Sequence, residues 1–553
     1  MLTEGGQIWS HRFKMIRQVI KIAINWSLLV CLLYLVYTVL SLPSSLYLGA
    51  WYHLKASFLN LYKVKKVEVN RNFWYEVSHA NFAKNPSIDT SQVLKITQPL
   101  LNQFSQKLEG ALWRSTTVFG FALMTFIVFF VIRGTSRQGK KHLHGNKVVS
   151  PWWLSLQLKL SDRASHIKVG NLPLLKDSET RHFLITGGTG SGKTNCLFSL
   201  LDQIRRAKQK SIIIDTTGVF TSRYYRPGKD ILLNPSDPRS ALWHPWIECQ
   251  DNYDYEAMAE SFIPHSHSEH ENYWRISSKT LLSSLLNRTA LSKKNSDLAR
   301  WALFEPLPKL CQFVQGTKAA AHMDMNSDKT AASIRSVCAS FLGSFEMLKD
   351  TDTPFSVKNW IQNPETDSWL FLTCAPAQRT TLIPLIGCWF SVAARSLMQM
   401  PPDFERRTWF ILDELPSLNK LRDLEMFLAE SRKYGGCAVL AIQTPAQLDA
   451  IYGRETTKTL LSNCSTKLVF AEYNPESAQS ISKAFGDRET IEYNEGLSYG
   501  AHEVRDGVTL TAQKKSSPLV SPNEIMSLEP HTAFVKLPGK LPITKIKLDL
   551  NIA

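Results

Sequence analysis

The residues best typed and spaced for chemistry are Gly187-Gly188-Thr189-Gly190-Ser191-Gly192-Lys193-Thr194. They fit the phosphate-binding pattern G-x-x-x-x-G-K-[ST]. Glycines in such a loop let successive backbone N–H groups converge on an anion, and a helix N-terminus behind them adds a favourable dipole. Lys193 is typed to neutralise β/γ-phosphate charge, and Thr194 to give its hydroxyl to Mg²⁺. A second element supplies acid. Thr408-Trp409-Phe410-Ile411-Leu412 is an apolar run that leads directly into Asp413-Glu414. Asp413 would hold Mg²⁺ through water, and Glu414 would polarise an attacking water. Together the two elements predict ATP and Mg²⁺ as cofactors, and the acid pair points to hydrolysis rather than to nucleotide binding alone.

These residues need a scaffold. Phe183–Thr186 reads as a short buried strand before the loop. Asn195–Ala207 reads as a helix after it, with Cys196, Leu197, Leu200 and Leu201 on one face. Ser211–Asp215 is a second strand ending in an acid. Strand, helix, strand is the signature of a parallel sheet. Further strands are expected at Trp369–Thr373, Thr408–Leu412, Ala438–Ile442 and Thr466–Phe470. Lys193 and Asp413 stand 220 residues apart, more than a compact core needs, so a segment is inserted. Tyr253–Asp350 has the helical period: Leu281, Leu282, Leu285 and Leu286 share a face, as do Ile334, Val337, Cys338, Phe341, Phe345 and Leu348. An all-helical subdomain over residues 245–355 follows. His265, His267 and His270 fall in a polar loop of it; with no fourth ligand and no standard spacing, they read as a solvated loop rather than a metal site.

Ile22–Leu42 is 21 residues without a charge, and Ser115–Ile132 is 18. Each is long enough to cross ~30 Å of hydrocarbon as a helix. Trp26 and Trp113 lie near their ends, where indoles favour the interface. The first run is too long for a signal core and lacks a small-residue cleavage site close behind it. Arg12, Lys14, Arg17 and Lys21 precede the first span, and Arg133, Arg137, Lys140, Lys141 and Lys147 follow the second. Residues 43–114 carry a lower density of Lys and Arg. Both termini are therefore expected in the cytoplasm and the 43–114 loop outside; the aromatic run Phe73-Trp74-Tyr75 in that loop reads as a small core, with a partner patch as the alternative. The whole chain has 553 residues and a formal net charge of +16, which suits nucleic acid or an anionic membrane surface. Its nine cysteines include no C-x-x-C pair and read as small core residues of a reducing compartment.

The chain resembles conjugative coupling proteins of the TraD/TrwB kind, the membrane ATPases of type IV secretion. The resemblance is carried by Asn171-Leu172-Pro173, Leu412-Asp413-Glu414-Leu415-Pro416-Ser417-Leu418, Ser431-Arg432-Lys433-Tyr434-Gly435-Gly436 and Ile442-Gln443. Tyr499-Gly500, Val504-Arg505-Asp506-Gly507-Val508 and Leu537-Pro538-Gly539 look specifically TraD-like. The resemblance implies a homohexameric ring on the inner membrane with nucleotide between neighbours. It implies delivery of single-stranded DNA with its attached relaxase to the secretion channel, in company with relaxosome components. By position, Arg432 matches the family's candidate arginine finger and Gln443 its γ-phosphate sensor. Arg335 is a second arginine that could face a neighbour's nucleotide.

The fold class expected is α/β: a RecA-like P-loop ATPase with an inserted all-α domain, preceded by a two-helix transmembrane hairpin. The organisation expected is a cytoplasmic N-terminus (1–21), two transmembrane helices (22–42 and 115–132) around a periplasmic loop (43–114), and a connector (133–170). The RecA-like domain takes 171–244 and 356–553, and the insertion 245–355. Longer relatives carry an extension that docks a relaxosome accessory protein, so recognition here is expected to fall to the insertion. A substrate-recruiting receptor, whose ATP hydrolysis switches affinity without processive pumping, is the alternative reading. A chromosome pump of the FtsK kind would need a winged-helix tail for which no length remains. No relaxase-like tyrosine and histidine cluster is present, and no DNA cleavage is expected.

Overall fold

The apolar periods fold as helices and the short apolar runs as strands in a computed structural model, which describes residues 2–138, 141–264, 269–324, 327–363, 367–498 and 507–549. The chain forms two units, one of residues 1–141 with 491–513 and one of residues 142–490 with 514–553.

In the first unit, helices α1 (Leu2–Leu40) and α4 (Thr90–Gln138) hold the two charge-free runs. Both are long and apolar enough to cross a membrane. They leave Leu33 and Phe121 61% and 76% exposed, so the apolar surface points outward rather than into a core. The residues between the spans are a folded layer, not a loop. Pro43, with φ −59°, starts α2 (Ser44–Leu61). A short antiparallel pair, β1 (Lys66–Glu68) and β2 (Ser87–Asp89), flanks α3 (Arg71–Ser78). The Asn70 side chain caps α3 by accepting from the Asn72 and Phe73 N–H groups at 3.0 and 3.4 Å. Phe73 and Trp74 are buried with Ala56, Val67, Val69 and Val93, while Tyr75 is exposed. α4 then runs unbroken from this layer through the second apolar span.

A third helix, Arg379–Met398, meets the same length and hydropathy criteria but lies in the second unit. Leu382, Leu385, Ile386, Trp389, Phe390 and Ala393 are all buried there. It is a core helix.

The second unit is built on a ten-stranded sheet in the order 148–149, 543–547, 532–536, 466–469, 183–186, 436–442, 408–412, 210–215, 369–373, 231–233. The seven strands from 466–469 onward are mutually parallel. They are buried on both faces, which is why they read as unbroken apolar runs. Alternation divides them between two cores. Ile212, Ile214, Phe410, Leu412 and Leu440 face one side; Ile213, Trp409, Ile411 and Val439 face the other. Helix Lys193–Arg206 covers the second side with Cys196, Leu197, Leu200, Leu201 and Ile204. The helices of the insertion cover the first: Leu281, Leu285, Ile334 and Cys338 belong to one core with the sheet face.

Several expectations change. The connector expected over 133–170 contributes strand Val148–Val149 to the main sheet and packs Leu154, Leu158 and Ile167 into its core. Past the Asp413-Glu414 pair the next α-helix begins only at Leu424. Leu415–Leu418 is a single 3₁₀ turn, and Asn419, at φ 55°, breaks the helical path. His270 lies in helix Glu269–Arg288 with its ring 6.3 Å from that of Trp274; His265 and His267 lie outside the described residues. So do Tyr499, Gly500, Val504, Arg505 and Asp506, between strands Asp487–Ser498 and Gly507–Pro518. Among the described residues no group of three His, Cys, Asp or Glu side chains could hold a metal ion.

Candidate functional site

Register builds the site. Leu412 pairs with Leu440, and Ile442 with Thr186, so three strands end side by side. Their carboxyl ends deliver residues 187–194, 413–414 and 443 to one edge of the sheet. The strand of the acid pair is separated from the phosphate-loop strand by the strand that ends at Gln443.

The loop turns through left-handed backbone at Gly190 (φ 75°) and Gly192 (φ 113°). A Cβ at Gly192 would meet His531 within 2.8–3.2 Å, whereas one at Gly190 would meet nothing within 4 Å. The loop is thus packed at its helix end and open at its tip, the cradle a phosphate chain would fill. Two outside segments hold it: the Gly188 N–H donates to the Ala471 carbonyl at 2.7 Å, and the His531 N–H to the Ser191 carbonyl at 2.8 Å. Lys193 is half-buried at the helix start, and its ammonium donates to the Gly187 and Gly188 carbonyls at 2.6 and 3.0 Å. Burial lowers its pKa, while Glu414, Asp413 and Glu472 pull it back up. Thr194 is exposed beside it.

Asp413 lies almost out of water. Burial first, then the charges of Asp215 and Glu414, push its carboxyl up to about 6, against the pull of Lys193. A carboxylate in that state favours a divalent cation, so the donor set fits Mg²⁺. Glu414 sits in left-handed backbone at φ 57°. Its Oε2 accepts from the Gln443 amide at 3.1 Å. Lys193, Asp413, Glu414 and Gln443 are therefore gathered at one place. Asp215 neighbours Asp413 but is committed elsewhere. Its two oxygens accept from the N–H and hydroxyl groups of Thr217 and Thr221 and from the Gly218 N–H, which fixes the start of helix Val219–Tyr224.

Glu472 is a residue that sequence reading missed. It follows strand 466–469, on the far side of the phosphate-loop strand from Gln443. It is 1% exposed; Oε1 accepts from the Asn474 N–H at 3.2 Å and Oε2 is buried without a hydrogen-bond partner. Burial raises its pKa, and Lys193 opposes that. An isolated acid after a short apolar run carries no signal until the strand order is known.

Arg432 is not at this edge. It is exposed in the turn Ser431–Tyr434, before the first residue of strand Gly436–Ile442, whose far end carries Gln443. Seven residues of strand separate the two levels by roughly 20 Å. Arg335 is half-buried in the insertion, where its Nε donates to the Ala302 carbonyl at 3.2 Å.

Comparison with known proteins places this geometry. A family model described as the type IV secretion-system coupling protein DNA-binding domain matches residues 166–549. The coupling protein TraD of Escherichia coli (strain K12) is 31% identical over 99% of this chain and 77% of its own length. Among solved structures, an unbound bacterial conjugative coupling protein TrwB lacking its N-terminal segment superposes with a TM-score of 0.67 at 28% identity, covering 75% of this chain and 94% of that one. The plasmid coupling protein TrwB in complex with ADP and Mg²⁺ superposes with a TM-score of 0.66 at 28% identity, covering 75% and 95%.

Proposed function

This chain belongs to the conjugative coupling proteins of type IV secretion systems, and from that premise we propose that it is an inner-membrane ATPase that delivers relaxase-bound single-stranded DNA to the secretion channel by ATP hydrolysis. The observation that carries the enzymatic part is the meeting of Lys193, Asp413, Glu414 and Gln443 at one sheet edge, with Glu414 hydrogen-bonded to Gln443. TrwB, whose structure holds ADP and Mg²⁺, supports the same cofactors here.

Mg²⁺, when bound, would supply positive charge against the negative charge of the phosphates. Thr194 and Asp413 are the residues to hold it. Lys193 would trade the two loop carbonyls for phosphate oxygens. Glu414 would orient water and draw its proton. Gln443, through its amide, positions Glu414 and senses the phosphate beside it. The loop N–H groups from Gly187 to Thr194 would bind the phosphate chain. Arg432 lies too far from its own site to act there, so its role as an arginine finger requires a neighbour, which supports a ring, on the family pattern a homohexamer. Arg335, held by a carbonyl of its own domain, is left to structure.

α1 and α4 supply the membrane anchor, with both termini and the ATPase unit cytoplasmic and residues 43–114 periplasmic. The basic excess suits a DNA partner, with the relaxosome and the secretion channel as protein partners. The deciding experiment is ATP turnover by the full-length protein in detergent, with and without single-stranded DNA, beside Glu414→Gln. DNA should raise turnover several-fold in the unsubstituted chain and leave Glu414→Gln inactive. Tight DNA or relaxase binding with no stimulation would overturn pumping in favour of the receptor reading.

A further inference from the structure

We propose that helix α5 (Pro151–Leu160) lies flat on an anionic phospholipid bilayer, a peripheral contact that the ATPase unit makes for itself in addition to the two spans. The helix is rigidly built. Pro151 opens it, and the Ser150 hydroxyl caps it by accepting the Trp153 N–H at 3.4 Å. Its inner face is spent on the protein: Leu154 and Leu158 are buried in one core with Ile546 and Leu548. At about 100° per residue, the opposite face carries Trp152, Trp153, Leu156 and Leu160. They are 71%, 48%, 38% and 79% exposed. A helix that is apolar on two opposite faces is ordinarily a buried one, so the outer stripe calls for a cover. Large apolar side chains are exposed elsewhere in this unit, Leu291, Phe304 and Phe404 among them. Among the described residues, however, no other helix of the unit exposes more than two.

Three covers are open to such a stripe, and lipid fits it best. A neighbouring copy presents no helix with a matching stripe. Single-stranded DNA would stack on ring faces, and two of the four side chains are leucines that offer none. A bilayer interface suits all four. Indoles favour the headgroup level, where the apolar body and the N–H each find a partner, and leucines sink beside them. The charges around the helix agree. Lys147, Lys159, Arg163 and Lys168 are exposed, and Asp162 is the single acid among residues 140–168. A cationic rim is drawn to anionic headgroups, and a lysine stem can follow the apolar face while its ammonium reaches phosphate. The chain also keeps α5 within reach of the membrane. Only residues 139–150 separate it from α4, and fully extended they reach roughly 40 Å. Ten residues are too few to cross hydrocarbon, so the helix would rest in the interface plane with its outer face sunk by about 5–10 Å.

The inference rests on the membrane-anchored reading, and its test separates the two. Cys31 and Cys249, the two cysteines that are not buried, are replaced by Ser in the full-length chain. Gln157→Cys, exposed on the same side of α5 as Trp153, or Ser462→Cys, exposed in helix Arg454–Asn463, is then added and labelled with the fluorophore NBD. Each protein is reconstituted into vesicles of phosphatidylethanolamine and phosphatidylglycerol, with or without lipid that carries a shallow doxyl spin label. Extraction of a separate portion with alkaline carbonate reports the spans: retention keeps the anchor, and release sinks it while quenching at 157 still decides α5. The spin label should quench position 157 several-fold more than position 462. Trp152→Asp together with Leu160→Asp, both at exposed positions, should lower quenching at 157 to the level of 462 while the chain stays carbonate-resistant and binds ATP. Equal quenching at the two positions would overturn the proposal. So would a blue shift at 157 that spin-labelled lipid leaves unquenched, the sign of a protein or DNA cover, or quenching that the double substitution leaves unchanged.

Discussion

The two edges of the central sheet differ in kind. The carboxyl edge crowds charge: Lys193, Asp413, Glu414 and Glu472 share one electrostatic neighbourhood, with Gln443 bonded among them. The amino edge carries Arg432, exposed on the short turn Ser431–Tyr434. The strand Gly436–Ile442 joins the two edges and keeps them apart. On the proposed function the carboxyl edge binds phosphate and Arg432 supplies a cation, and because the two are too far apart within one chain they would meet only between chains. The comparison predicts that damage to either edge stops turnover, but that the two kinds of damage behave differently when subunits are mixed.

The largest effects test the carboxyl edge. Lys193→Ala should abolish turnover and weaken ATP binding, because the loop loses its cation among three acids. Glu414→Gln should keep binding and lower turnover by 10²-fold or more, since an amide cannot accept the proton of water. Binding measured with a fluorescent ATP analogue separates the two; near-normal hydrolysis by Glu414→Gln would remove that residue from its assigned place. At the amino edge, Arg432→Ala should lower turnover by about 10³-fold or more with ATP binding intact. Mixed oligomers sharpen this. Lys193→Ala and Arg432→Ala subunits, each nearly inactive alone, should regain part of the activity together, because some interfaces then pair an intact loop with an intact arginine. No recovery, with subunit exchange confirmed, would break the comparison.

A smaller effect follows from charge at the carboxyl edge. The folded pKa of Asp413 is raised to about 6 from 3.8. Such a carboxyl favours the folded state while it holds its proton, below about pH 4, and that contribution is lost as pH rises through about 6. At pH 7.5 the ionised group then disfavours the nucleotide-free fold by about 2–3 kcal/mol. Asp413→Asn should therefore raise the Tm of nucleotide-free protein by a few degrees at pH 7.5, and by little or nothing near pH 4, while ending Mg²⁺-dependent turnover. In the unsubstituted chain, affinity for Mg²⁺-nucleotide should fall as pH drops below about 6. An unchanged Tm at pH 7.5 would show that the edge stores no unfavourable charge.

Contiguity decides what was legible in the sequence. The phosphate loop and the Asp413-Glu414 pair are read from neighbouring residues, and their strands from apolar runs that parallel packing buries on both faces. The helical period announced the insertion, but not that Leu281 and Ile334 share a core with Phe410 and Leu440. That merging depends on which sheet face each strand residue takes. Glu472 and the capping role of Asp215 were hidden because each depends on strand order or on a turn that brings distant groups together. α4 and Arg379–Met398 are both apolar enough to span, at mean hydropathies of 2.2 and 1.4, and it is packing that buries the second.

The smallest predicted effect concerns what holds the amino edge in place. His182 opens the phosphate-loop strand and is 1% exposed. Its Nδ1 accepts the Ala438 N–H at 3.1 Å, and its Nε2–H donates to the Leu428 carbonyl at 3.0 Å. Its own carbonyl accepts the Thr466 N–H at 3.2 Å. One side chain thus ties the sensor strand to the helix Leu424–Glu430, immediately before the turn that carries Arg432. Both ring nitrogens are used in the neutral form, and burial pushes the pKa down to about 4, so the tie holds across the neutral range. His182→Phe keeps an aromatic ring of similar size near Phe427, whose ring lies 6.0 Å away, but leaves one buried N–H and one carbonyl unpaired, at a cost of about 1–3 kcal/mol each. If the tie positions Arg432, turnover should fall about three- to ten-fold with ATP binding unchanged, and mixing with Lys193→Ala subunits should restore part of it, as for Arg432→Ala. His182→Asn, which keeps an acceptor near the Nδ1 position, should lose less than His182→Phe. If instead His182 only supports the strand beneath its own phosphate loop, ATP binding should weaken in the variant and mixing should restore nothing. The mixing pattern therefore decides which edge His182 serves.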